Sequence, residues 1–475
     1  MAARSLPLLA LATALCTPQL AAQSRAPTIA RALSHTRFVL PNGLVAILNE
    51  DHATPLVAVS VWYHFGLKND PPGRIGLAHV CEHLTAQGSP HLPQQQQLFY
   101  RSIGGSSARW GQTTEDVTKY SVVVPSNQLE TVLWAESDRM AAPFALADAQ
   151  HIATVQQVIA QERRQDVGNM PFGVSRELTL MALFPAEHPY HVSATPPAAE
   201  LSGASPADLR AACGRYYVPS NAVIALSGDF DSLTARRLIE RYFGDIPAGP
   251  SGPRAASPTP KLRGEQRLVL EDARAMQPQL HIDWIGASYS NPDRPALLAL
   301  AWVLSHDRFG RLSRLLVRDR QLAAKVIVDN YDFEDSGVFE IAVFPQPGAS
   351  TTLIEALLDS TLISLQTSSP VTRQEIARFN AANVVEAAMS LETKFARADT
   401  LAHDQVFTGD PTSYAKQAVA AGRVTPADVR RVARKYLTPG RVVMTLVPAG
   451  RLELVSRPDL PYVNVTPTAP APVKP

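Results

Sequence analysis

Ser205-Pro206-Ala207-Asp208-Leu209-Arg210 returns, 220 positions later, as Thr425-Pro426-Ala427-Asp428-Val429-Arg430. The register holds beyond the hexapeptide. Tyr216 meets Tyr436, Pro219 meets Pro439, Val223 meets Val443 and Leu226 meets Leu446. Each copy opens on a Ser/Thr-Pro pair, a hydroxyl to cap a helix and a proline at its first turn. Each then runs through a helix into an apolar strand, Ala222 to Leu226 or Val442 to Val447. A match of that length in constant register points to a duplicated fold.

Working outward, Pro247-Ala248-Gly249-Pro250-Ser251-Gly252-Pro253, continuing to Pro260, has little to bury and reads as a linker. Two homologous domains are therefore expected, residues 36–246 and 263–452, joined by a linker at 247–262 and followed by a proline-rich tail at 453–475. Both open on Val/Leu-rich strand patterns: Gly43 to Leu48 and Leu56 to Tyr63 in the first half, Gln266 to Leu270 and Gln279 to Trp284 in the second. Helical patterns follow without strict alternation. The fold class is thus α+β, two homologous domains each built as a β-sheet flanked by α-helices.

Composition narrows the function. Of 475 residues, 44 are basic and 43 acidic, giving a net charge of +1, so nothing calls for nucleic acid or an anionic surface. No stretch is apolar for long enough to span a bilayer. Residues 1–22 stand apart: Arg4, a short apolar run from Leu6 to Cys16, then small Ala21 and Ala22. This is the pattern of a secretory signal peptide, and it predicts a secreted or periplasmic protein. Without the leader, two cysteines remain, Cys81 and Cys213, which are no disulfide framework; an extracellular setting permits a bridge between them, and two buried thiols are the expectation.

The chemistry lies in His79-Val80-Cys81-Glu82-His83. On a helix, His79, Glu82 and His83 share one arc, while Leu77, Val80, Cys81 and Leu84 share the other and can pack inward. Two histidines one turn apart suit a single Zn2+. Glu82 then stands beside the open position and can take a proton from water. The competing reading is a surface helix with solvated histidines. A catalytic zinc needs a third ligand. In Ile152 to Glu162, Ile152, Val155, Val158 and Ile159 form an apolar stripe, and Glu162 projects from it. A carboxylate facing a core is costly unless paired or metal-bound. The alternative is a helix end where Glu162 reaches water, Arg163 or Arg164.

With these residues in place, the chain resembles the insulinase/pitrilysin zinc metallopeptidases (peptidase family M16), which carry the inverted zinc motif. Gly76 to His83 is similar to their zinc helix. Trp110 to Tyr120 is similar to a segment that normally reads Asn-Gly-x-Thr-x-x-Asp-x-Thr-x-Tyr. Val158 to Glu162 is similar to the stretch bearing the third ligand. The resemblance implies one Zn2+ per chain held by His79, His83 and Glu162, with Glu82 as general base. It implies an edge strand that holds the substrate backbone, making Trp110, Gly111 and Thr113 candidate substrate contacts. Two domains rather than four imply a half-sized bacterial or mitochondrial-processing type of member. In that group two chains pair around a chamber in which unfolded peptides are cleaved.

The chain also departs from the family pattern. Val155 stands where a second glutamate is usual, seven residues before the third ligand, and Trp110 stands in place of Asn. In the second half Arg318 matches the arginine of a substrate-binding Arg/Tyr pair. The tyrosine position falls on Ala324, with Tyr331 as an alternative donor. Pro295 to His306 carries no zinc motif. Two functions follow: an endopeptidase subunit served by a homologous partner chain that carries the pair, or by a second copy in a homodimer; or a non-proteolytic scaffold or binding subunit of the same fold.

Overall fold

The structure, a computed structural model, describes residues 32–71, 76–106, 110–191, 205–250 and 257–466. The leader at 1–22, part of the linker and the last nine residues of the tail lie outside them.

The first half builds a sheet from β1 (Thr36–Val39), β2 (Val45–Glu50), β3 (Leu56–Tyr63), β4 (Gly111–Thr113), β5 (Thr118–Pro125) and β6 (Ala222–Gly228), in the spatial order β1-β2-β6-β3-β5-β4. The second half repeats the plan with β7 (Gln266–Asp272), β8 (Gln279–Gly286), β9 (Ala323–Asp332), β10 (Gly337–Pro345), β11 (Val442–Pro448) and β12 (Val463–Asn464), in the order β12-β7-β11-β8-β10-β9. The strands found by the 220-residue register occupy equivalent places. β6 lies parallel to β2 and antiparallel to β3, as β11 lies parallel to β7 and antiparallel to β8.

Helices α1 (Leu77–Ala86), α2 (Gln96–Ser102), α3 (Leu129–Ala141), α4 (Ala149–Glu162), α5 (Ser175–Leu183), α6 (Pro206–Cys213) and α7 (Ser232–Phe243) belong to the first half. The second half supplies α8 (Arg294–Ser305), α9 (Thr351–Gln366), α10 (Arg373–Met389), α11 (Lys394–Thr408), α12 (Ser413–Gly422) and α13 (Pro426–Tyr436). The repeated hexapeptides start α6 and α13. Ser205 Oγ accepts from Asp208 N at 3.1 Å, and Thr425 Oγ1 accepts from Asp428 N at 3.2 Å.

One face of the first sheet packs its Val, Leu and Tyr side chains under α1, α3, α4, α6 and α7 in one large core. The other face is covered by a helix from the opposite half: Ala398, Leu401 and Ala402 of α11 pack on Ile47, Ala58, Trp62, Val223 and Ala225. The loan is returned. Leu180 and Leu183 of α5, with Phe172, Phe184 and Tyr190, cover Leu268, Leu270, Val442, Met444 and Leu446 of the second sheet. Among the described residues no helix is long and apolar enough to cross a membrane.

One expectation is overturned in this frame. Cys81 and Cys213 are joined in a disulfide, their Cα atoms 5.8 Å apart, rather than standing as separate thiols. Cys81 lies on the buried side of α1 and Cys213 ends α6, and the packing of those two helices brings the sulfurs together.

Candidate metal centre

The helix α1 starts abruptly because two residues allow it. Gly76 takes φ +88°, a left-handed conformation that costs glycine little. Asp70 then supplies the cap from a distance, its carboxylate accepting from Gly76 N at 2.6 Å and Ala78 N at 2.8 Å. Burial pushes this carboxyl up to about 7, against the pull of those backbone donors. The apolar arc behaves as its spacing requires, with Leu77, Val80, Cys81 and Leu84 all buried.

Behind the helix lies an aromatic bed. Tyr120 bonds Thr85 Oγ1 at 2.6 Å and donates to the Glu82 carbonyl at 3.2 Å. Trp110 packs on Tyr120 with ring centroids 4.8 Å apart, and the buried Arg139 guanidinium lies 3.8 Å from the Tyr120 centroid. Trp110 is 5% exposed and belongs to this core. Its side chain therefore supports the zinc-helix candidate from behind.

On the opposite arc three donor atoms converge. His79 Nε2 and His83 Nε2 lie 3.1 Å apart, and Glu162 Oε2 lies 3.4 Å from the first and 3.2 Å from the second. A tetrahedral zinc with bonds of ~2.1 Å spaces its ligand atoms ~3.4 Å apart, so the three atoms have the spacing of one face of such a tetrahedron. The donor set, two imidazoles and one carboxylate, is also a set zinc accepts. Among the described residues this is the one group of three or more such side chains so placed.

Glu162 is the last residue of α4, and Ile152, Val155 and Ile159 anchor that helix in the core. Val158, expected in the same stripe, is 37% exposed. The buried stripe is thus narrower than the spacing suggested, and Glu162 sits at its border with its side chain 34% exposed. Val155 is fully buried among core side chains, which accounts for an apolar residue where a second glutamate is usual. Burial raises the Glu162 carboxyl, but the His83 hydrogen bond and the imidazole charges outweigh it and hold it below the ordinary range. Burial lowers His83, and the hydrogen bond to Glu162 and the charge of Glu82 reverse this into a net rise.

Glu82 is buried and reaches the edge strand. Its Oε2 accepts from Thr113 Oγ1 at 2.6 Å. Gly111 faces the other oxygen so closely that a Cβ there would lie 2.5 Å from Oε1. Burial pushes this carboxyl up, partly offset by His83 and the Thr113 bond. Gly111 and Thr113 thus hold Glu82 as well as forming the free edge of the sheet. Arg318 stands exposed near the end of the short π-helix Ser313–Asp319, and none of the hydrogen bonds or ion pairs of this cluster involves it. Ala324 is exposed on the edge strand β9, and Tyr331, on the same strand, lies under the Arg176 guanidinium at 5.6 Å. Asp70 and Tyr120 escaped sequence reasoning as site residues. The signal for Asp70 was its place six residues ahead of Gly76, but such a cap is only one of many uses of an aspartate.

Comparison with known proteins agrees with this frame. The profile described as Insulinase (Peptidase family M16) matches residues 45–188, and the one described as Peptidase M16 inactive domain matches residues 203–382. The chain is 25% identical over 312 residues to the Helicobacter pylori protein named zinc protease PqqE, covering 64% of this chain and 68% of that one. It is 23% identical over 424 residues to the probable mitochondrial-processing peptidase subunit beta of Schizosaccharomyces pombe, covering 86% of this chain and 90% of that one. The crystal structure of a protease from Helicobacter pylori superposes with a TM-score of 0.78 at 22% identity, over 87% of this chain and all of the other.

Proposed function

For a chain that belongs to peptidase family M16, we infer a zinc-dependent endopeptidase subunit that cleaves unfolded peptides, with Glu82 as general base. The observation that carries this reading is the convergence of His79 Nε2, His83 Nε2 and Glu162 Oε2 with the Glu82 carboxylate one step along the same helix face.

These three side chains are the ones that would hold one Zn2+. When bound, the ion supplies Lewis acidity, which makes water more acidic and a carbonyl more electrophilic. The protein's own groups do the rest. Glu82 takes a proton from the water that adds to the scissile carbonyl, then returns it to the departing amine nitrogen. Its raised proton affinity, set by burial, suits both halves of that exchange. Thr113 and Gly111 fix where its two oxygens stand. The edge strand β4 pairs with β5 on one side, leaving its other side for the backbone of an extended peptide.

The setting belongs to the same proposal. The leader pattern and the Cys81–Cys213 bridge both suit a secreted or periplasmic protein. A homologous partner chain would supply the Arg/Tyr pair, since the second half offers Arg318 but Ala324; a homodimer is the alternative assembly. The scaffold reading draws on the description of the profile matching residues 203–382 as an inactive domain. That stretch is the one without a zinc motif, so it weighs little against the first half.

The test is Glu82→Gln, which keeps shape and removes the base. Zinc content should equal that of the parent while peptide cleavage falls by ~100-fold or more. Cleavage at the parental rate would refute the mechanism. A zinc-loaded parent that cleaves nothing, alone or with homologous chains, would establish the scaffold instead.

A further inference from the structure

The strand that orients Glu82 is poorly held by its own sheet. β4 has three residues, pairs with β5 over Gly111 to Thr113 with one further bond beyond each end (Ser121 N to the Trp110 carbonyl at 2.9 Å, Thr114 N to the Val117 carbonyl at 2.8 Å), and ends the sheet. Short edge elements with few partners open easily. Buried Trp110 steadies its start, and the turn Thr114–Val117 steadies its far end. Leu67 N and Lys68 N donate to the carbonyls of Thr114 and Glu115 at 3.0 and 2.9 Å. Asp116, 3% exposed, then ties the turn to the other half of the molecule. Its Oδ1 accepts from Tyr190 OH at 2.6 Å and lies 2.9 Å from Lys68 Nζ, while its Oδ2 accepts from the backbone N of Glu334 at 3.0 Å.

Glu334 and Asp335 occupy the turn between β9 and β10. The Glu334 carboxylate meets Lys68 Nζ at 2.5 Å and His64 Nε2 at 2.6 Å, and Asp335 Oδ2 lies 3.2 Å from the same ammonium. Asp335 N completes the ring by donating to Tyr190 OH at 3.0 Å. Three carboxylates therefore surround one largely enclosed ammonium. His64 Nδ1 is buried without a hydrogen-bond partner, while its Nε2 faces Glu334 Oε2. Buried charges in such a ring hold one another in place, and removing one leaves the others uncompensated.

We propose that this ring is a positioning clamp: Glu334 of the second half, through Lys68 and Asp116, holds the β4–β5 turn and so aims Thr113 at Glu82. Glu334 and Asp116 are positioning residues, and none of the ring touches the metal cluster. The second half, which lacks a zinc motif, thus acts on the reaction in cis, besides anything it contributes across an assembly. The proposal rests on Glu82 as the base.

A double-mutant cycle tests it, using the full chain with zinc loaded and with the partner chain if one is needed. Glu334→Gln keeps size and removes the charge, and Asp335→Asn serves as a second variant should the first fold poorly. Expected for Glu334→Gln are parental zinc content, KM within about twofold, and a kcat lowered about tenfold, since loss of aim at a base costs rate rather than binding. Amide exchange in Gln112–Thr118 should quicken. In a Thr113→Val background, where the link to Glu82 is already cut, the same change should lower kcat by less than about twofold. Parental kcat in Glu334→Gln, unchanged exchange, or losses that simply multiply with those of Thr113→Val would each overturn the clamp. Failure of the peptidase reading shows separately, as a wild-type chain that holds zinc and cleaves nothing.

Discussion

Gly111→Ala puts the smallest possible weight on the reasoning about Glu82. The added Cβ would stand 2.5 Å from Glu82 Oε1, so reaching an ordinary contact of ~3.4 Å requires ~0.9 Å of movement. The next atoms of Glu82 lie at 3.3 and 3.4 Å, so the strain falls on the carboxylate tip rather than on backbone. The tip can swing, but only by giving up the 2.6 Å bond from Thr113. A displacement near 1 Å at a reacting group costs up to ~100-fold in rate. The expectation is a kcat reduced ~10- to 100-fold, about 1.4 to 2.7 kcal/mol of barrier. Zinc content should match the parent, because no ligand of the proposed metal meets the new methyl group, and the melting temperature should barely move. Steady-state cleavage of a quenched fluorescent unfolded peptide, with metal analysis and a thermal melt on the same samples, reads all three. Parental kcat would refute the assignment of Gly111 as the space for the base, and a loss explained by missing zinc would refute it equally.

The remaining predictions touch other parts of the frame. His83→Ala should lower bound zinc from about one per chain toward none, and equal zinc in both proteins would sink the ligand assignment. Replacing Cys81 and Cys213 together by alanine opens a link across 132 residues and should cost about 2–5 kcal/mol in urea unfolding under oxidising conditions; no loss would show that packing alone seats α1 on α6. Burial pushes Glu334 up, but the His64 hydrogen bond and the His64 and Lys68 interactions outweigh it and hold the carboxyl at about 2, below its ordinary 4.5. Its contribution, about 3 kcal/mol, is therefore present above pH ~4.5 and lost as pH falls toward ~2, so the stability gap between parent and Glu334→Gln should close over that range; a gap independent of pH would refute the linkage. Ala324→Tyr should raise the activity of the isolated chain if that position serves the active site, and no change there, with no gain from homologous partner chains, would dismiss the partner proposal.

How much of this could be read from sequence depended on distance along the chain. His79, Glu82 and His83 were legible because one helical turn contains them, and the apolar arc that seats them is equally local. Glu162 was legible through the stripe of α4, although exposed Val158 shows that the stripe was drawn too wide. The burial of the Trp110 ring was not legible, because a match to an edge segment says which strand a residue adjoins and not which face it takes; Arg139 and Tyr120, which claim that face, come from elsewhere. The disulfide was invisible for the same reason, since Cys81 and Cys213 meet only after α6 packs beside α1. Lys68 and Glu334 carry no pattern, Asp116 stands at the aspartate of the edge-segment pattern without any sign of its partners, and the association of the three depends on how the two halves dock.

The exchange of α5 and α11 has a consequence for how this architecture comes apart. A gene doubled in tandem ordinarily yields two beads that can be cut from a string. Here each bead wears the other's cover. A half produced by itself would show water the bare side of its sheet, Ile47, Ala58, Trp62 and Ala225 in one case, Leu268, Met444 and Leu446 in the other. Such surfaces invite aggregation rather than independent life. Scission between the halves in the assembled protein, by contrast, leaves the two covers in place and the pieces clasped.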